Sequence, residues 1–187
     1  MIDVSFDNAT INTLQSLIGR RFDLYSNDPF IFTPTALGIV GCKIAGNTYR
    51  FTAELQVIER FFNADDVAVF KFEACEPREI SSRMDGGKLI DTPVEDTISA
   101  IDIINDHECV THNKVSRELR STKGVIFHLA SGHEISYELG TWFSEMITIQ
   151  RGYNLIEKFT PVADFYEEWD VGADYVPQCS REVITLR

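Results

Sequence analysis

The chain has 187 residues and a mass of 21.2 kDa, with 44% hydrophobic and 25% charged residues. These values exclude a disordered chain, a collagen-like repeat and a disulfide-bound miniprotein, and they leave enough length to bury a core without metal or disulfide support. Lys and Arg number 17 against 29 Asp and Glu, a formal charge of −12 at pH 7. That charge repels duplex DNA and anionic membrane surfaces, and it suits either plain solubility or a basic partner.

The start, MIDVSFDNATINTLQ, lacks the charged and apolar regions of a secretory signal, and the end, REVITLR, matches no lipidation motif. No apolar run reaches the length of a membrane span. Cys42, Cys75, Cys109 and Cys179 are isolated from one another, without the close spacing of a metal knuckle or redox pair. They read as free thiols of a reducing compartment, which places the chain in the cytoplasm, although their even number also allows two disulfides.

Residues 8–18 read as a short helix, with Ile11, Leu14 and Ile18 at three- and four-residue steps, Asp7 or Asn8 as cap and Gly19 as stop. Phe22 and Leu24 begin a strand, and DPFIFTP then makes a turn, because neither proline can donate to a central ladder. Residues 47–57 form the clearest strand: Tyr49, Phe51, Ala53, Leu55 and Val57 alternate with polar residues. ERFFNADD then reads as a turn or bend, and residues 67–73 as another strand. Residues 98–104 are extended, with a bulge expected at Ala100-Ile101, where the alternation slips.

Residues 124–139 read as a hairpin around a three-residue loop, Ala130-Ser131-Gly132, with Gly132 left-handed. That register sets Phe127 opposite Ile135 and Val125 opposite Tyr137, and it gathers the apolar residues on one face. Residues 145–151 follow as a strand, 161–169 as a short amphipathic helix and 182–186 as a last strand. Laid over 124–139, the segment 38–53 looks like a second copy, a register that would put Tyr49 opposite Gly41. Residues 76–97 are polar and read as one long connection, broken at most by a short strand at 88–90.

Five constellations could carry chemistry. Lys114, Arg117, Arg120 and Lys123 would line one side of a helix, or be split between faces in a strand. Together they could hold an anionic small molecule, or pair with Asp164, Glu167, Glu168, Asp170 and Asp174. Asp102, Asp106, His107, Glu108 and His112 mix carboxylate with imidazole, but at no metal-site spacing, so no metal is expected. His128 and Glu134 face each other in the proposed hairpin, as a carboxylate orienting an imidazole for proton transfer, or as a simple surface pair. Asp85-Gly86-Gly87-Lys88 lacks phosphate-loop spacing and reads as a turn. The late aromatics Trp142, Phe143, Tyr153, Phe159, Phe165, Tyr166 and Trp169 read as a packing seam rather than a stacking surface.

The expectation is a mainly β, α+β fold of eight to ten antiparallel strands, as two packed β units or a barrel, with a short helix near each end. It is a single domain over 1–187, with sub-units 1–75 and 98–187 joined by the loop 76–97. The expected core includes Leu14, Phe51, Leu55, Val69, Phe127, Leu129, Ile135, Tyr137, Ile147 and Trp169. Functionally the chain reads as a non-enzymatic intracellular binding or regulatory protein. It would take a protein partner or a second copy of itself, but no duplex nucleic acid, membrane or cofactor. The alternative is an anionic-ligand site, binding or enzymatic, between the two β units. That site would use Arg117 and Arg120 as anchors and His128 with Glu134 for proton transfer.

Overall fold

In the computed structural model, residues 1–32, 34–84, 86–140, 144–167 and 174–187 are described. The fold is mainly antiparallel β with two short helices. Strands β1 (Ile2–Val4), β2 (Arg21–Asn27), β3 (Thr35–Leu37), β4 (Ile39–Ile44), β5 (Asn47–Arg60) and β6 (Asn63–Ala74) precede two long strands, β7 (Ile90–His112) and β8 (Val115–Leu129). β9 (Glu134–Leu139), β10 (Met146–Gly152) and β11 (Tyr175–Leu186) complete the sheet, with helices α1 (Asn8–Ser16) and α2 (Asp164–Glu167) beside it.

The sheet path runs β3-β10-β9-β8-β7-β2-β4-β5-β6 and stays open, so of the two expected arrangements it takes the packed β units and not the barrel. β7 belongs to both units. Its first part, from Ile90 to Thr97, pairs with β2, and its remainder pairs with β8. At the junction Ile98 bonds to Gly19 and Arg20 on one edge, while the Thr97 carbonyl accepts from Ala130 on the other. β2 and β11 thus follow one another along the same edge of β7. β1 adds to β8 in parallel, beyond the end of β9.

The segment 90–97, expected as part of a polar loop, is strand. Its alternation is hidden by Pro93 and by a bulge, where Glu95 takes a φ of 55°. Further bulges fall at Ser99, one residue before the expected position, and at Lys123.

The units pack face to face around Phe51. Its ring lies 4.6 Å from Phe72, 4.7 Å from Tyr137, 5.2 Å from Phe70 and 6.2 Å from Phe127, centroid to centroid. A fully buried phenylalanine contributes about 1.5–3 kcal/mol, so this cluster is the main adhesive between the units. Leu14 of α1 and Leu17, its C-cap, close one end of the core. The helix starts where expected, with the Asp7 carboxylate accepting from the Thr10 amide at 2.8 Å.

Leu55 leaves the expected core: it is 40% exposed, and Val57 is 75% exposed. Past Ala53 the buried face of β5 changes over, and Ile58 and Arg60 turn inward on a second cluster containing Phe61, Val67, Val110 and Leu119. Trp169 lies outside the described residues, as do Trp142 and Phe143. Of the helix expected over 161–169, the described residues show Asp164–Glu167 as helix.

A C-terminal strap crosses the outer face of the second unit. Leu155 and Phe159 pack on Ile104 and Ile126, and Phe165 enters the second cluster. Two carboxylates fasten its backbone: Glu134 accepts from the Leu155 amide and Glu138 from the Thr160 amide, each at 2.7 Å.

Candidate functional site

The β8–β9 hairpin has the expected three-residue loop. Val125 faces Tyr137, Phe127 faces Ile135 and His128 faces Glu134, with Gly132 at a φ of 87°. His128 therefore lands on the outer face, where β7 adds a residue that the hairpin alone does not reveal. His128 Nε2 lies 2.7 Å from Asp102 Oδ2, and its Nδ1 lies 3.2 Å from Glu134 Oε1. Thr185 of β11 donates to the other Asp102 oxygen at 2.6 Å.

The hydrogen bond to Asp102 is the main cause that raises the His128 pKa, against the opposing effect of burial. With a carboxylate at each ring nitrogen, the imidazolium is held and no lone pair faces a substrate. Proton transfer would require this clamp to open.

The four basic residues do not converge. The segment is strand rather than helix, so Arg117 and Arg120 point to opposite faces. Lys114 sits in the β7–β8 turn at a φ of 66°. The Arg117 guanidinium lies 5.6 Å from the Phe62 ring centre. Arg120 pairs with Glu182 at 2.7 Å and with Asp3 at 3.7 Å. Lys123 donates to the Gly140 carbonyl at 3.1 Å. The anionic-ligand site built on Arg117, Arg120, His128 and Glu134 is therefore not assembled by one concavity.

Lys123 instead lines a small cavity under the strap, with Asp106, Glu108, Cys179 and Arg181. Arg181 grips Asp106 through two hydrogen bonds of 2.7 and 2.8 Å. Arg60 reaches Glu108 at 2.8 Å, yet burial still raises the Glu108 pKa. Burial also pushes the Cys179 and Cys42 thiols up to about 12, so both remain protonated and are poor nucleophiles. The acidic and imidazole residues 102–112 spread along β7, and among the described residues no cluster fit for a metal ion forms.

Sequence reasoning passed over DPFIFTP as a mere turn. Asp28 is fully buried and accepts from the Ser82 hydroxyl and, at 2.8 Å, from the Arg83 amide. Thr35 N donates to the Phe32 carbonyl at 2.6 Å and Ile31 N to the Thr35 carbonyl at 2.9 Å, which closes a tight tip. On that tip Phe30, Ile31 and Phe32 are 39%, 49% and 59% exposed. The signal was available: three consecutive large apolar residues between two turn prolines have no place in a strand of alternating faces. No protein-family model, curated protein or solved structure matches the chain.

Proposed function

We propose that this chain is a non-enzymatic binding protein that engages a basic protein through its apolar tip. The observation that carries the reading is the Phe30-Ile31-Phe32 tip, exposed yet anchored by the buried Asp28. Consecutive exposed apolar side chains on a braced loop mark an interaction site, because a pre-ordered loop loses little entropy on binding. The formal charge of −12 selects the partner: two such chains repel, while a basic surface is drawn in. The non-enzymatic reading is supported by the clamped His128 and the protonated Cys42 and Cys179. All four cysteines are free thiols, which favours a reducing compartment such as the cytoplasm. No helix among the described residues is long and apolar enough to cross a membrane.

The test is affinity capture from the native host with three baits: the wild type, Phe30→Ser/Phe32→Ser, and Val57→Ser as an exposed apolar control. The expected result is one basic protein retained by the wild type and by Val57→Ser, weakened by salt, and lost from the double variant. Capture that ignores the double substitution, or a captured partner of acidic charge, would overturn the reading.

A further inference from the structure

A groove opens at the mouth between the two β units, away from the apolar tip. One wall carries Asp96 of β7, and the other carries Ser131 and His133 of the hairpin loop and Arg151 of β10. Arg151 holds an unusual position. It pairs with the fully buried Ile135 at the end of the row of Ile147 and Ile149, but it is itself exposed, at the open end of that row. The pattern ITIQR thus places a guanidinium where the next apolar residue belongs. Among the described residues Arg151 makes no ion pair.

The two carboxylates nearby are already engaged. Asp96 accepts from the Thr97 amide at 2.7 Å and the Ser131 amide at 3.2 Å. Glu134 holds His128 and the Leu155 amide. Those bonds fill acceptor positions on both carboxylates, and they keep Asp96 in its charged form.

His133 lines the opposite wall. Its Nδ1 lies 3.1 Å from Ser131 Oγ, and its Nε2 lies 2.7 Å from Tyr153 Oη. A neutral imidazole carries one N–H and one lone pair. If Nδ1 donates to Ser131, the serine proton is free; if Nε2 donates to Tyr153, the phenol proton is free. In the tautomer that carries its proton on Nδ1, the Ser131 hydroxyl, which lines the groove, keeps a proton to give.

We propose that this groove is an oxyanion-binding site in which Arg151 and the Ser131 hydroxyl hold the terminal phosphate or carboxylate of a small molecule. The guanidinium supplies the planar fork that such oxygens match, and the serine hydroxyl fixes orientation. The site stands independently of the partner reading, since no residue is shared with the tip.

The test is an NMR titration with inorganic phosphate and, separately, with acetate, following Arg151 Nε–H and the His133 ring protons. Sodium chloride at matched ionic strength is the blank. Saturable shifts are expected, weakened about tenfold or more in Arg151→Gln, where charged hydrogen bonds are lost, and unchanged in Arg117→Gln. Ser131→Ala should lower affinity while leaving the fold intact. Saturation by phosphate alone assigns a phosphoryl ligand; saturation by acetate as well assigns a general oxyanion site. No saturable shift with either ion, shifts matched by chloride, or binding undiminished in Arg151→Gln would overturn the proposal.

Discussion

His128 of β8 and Asp102 of β7 are joined at 2.7 Å across the outer face, and the pair shifts both groups toward their charged forms. Burial alone would raise the Asp102 carboxyl, but hydrogen bonds from His128 and Thr185 outweigh it and lower its pKa. The His128 contribution is fully present below the ordinary histidine value of 6.5 and is lost as pH rises through its raised folded pKa. The Asp102 contribution is fully present above 3.8 and is lost as pH falls through its lowered one. Between those two ordinary values the clamp contributes most. His128→Gln should therefore cost about 1–3 kcal/mol near pH 5 in urea unfolding, and clearly less near pH 9. A cost independent of pH would show that the imidazolium is not what the clamp holds.

Arg60 and Glu108 form a deeply placed ion pair, with the arginine side chain 1% exposed. Removing one charge strands the other away from water. Arg60→Met should destabilise by about 3–5 kcal/mol, and Arg60→Met/Glu108→Leu should recover most of that loss. Urea midpoints at constant slope give both numbers. A double variant no better than the single one would mean that Arg60 acts through contacts beyond Glu108, such as the Phe61 ring, 4.7 Å from its guanidinium carbon.

These clusters mark what the sequence could and could not convey. The β8–β9 register was legible because Gly132 is the residue such a loop requires and because only one register gathers Val125, Phe127, Ile135 and Tyr137 on one face. The β4–β5 register was misread by one residue. Tyr49 pairs with Cys42, not Gly41, since Ala45-Gly46 is a two-residue turn with both φ angles positive. Alignment with 124–139 imposed the longer loop, so the two hairpins do not share a register. His128 with Glu134 was legible as a local pair. Asp102 was not, because it arrives through a strand pairing across 26 residues. The basic residues looked like one patch only because sequence spacing does not say whether the period is helix or strand.

The β4–β5 turn offers a stabilising change. Ala45 is exposed at a φ of 49°, a region costly for a residue with a Cβ, and Gly46 follows at 80°. Asparagine tolerates that conformation, and Asn-Gly is the preferred pair for such a turn. Ala45→Asn should raise stability by about 0.5–1 kcal/mol, measured as a higher thermal midpoint. The amide hydrogen bond from residue 45 to the Arg21 carbonyl, 2.8 Å, remains available. No gain would imply that the turn relaxes differently in solution.

Gly124 governs how the strap lies on the second unit. A Cβ there would fall 2.5 Å from the Tyr137 carbonyl oxygen and 2.6 Å from a Phe159 ring carbon. The oxygen belongs to a paired strand and cannot withdraw far, so Phe159 must give way. Phe159 is one of the three apolar anchors of the strap, with Leu155 and Phe165. Gly124→Ala should therefore cost about 1–3 kcal/mol, typical of overpacking. It should also speed tryptic cleavage after Lys158, an exposed residue one position before Phe159, because local opening is cheaper once that anchor is displaced. Leu155→Ala, which weakens a different anchor by leaving a cavity, should speed the same cleavage without perturbing β9 amide shifts. A Gly124→Ala protein with wild-type stability and an intact Lys158 site would show that the strap does not depend on Phe159 for its seat.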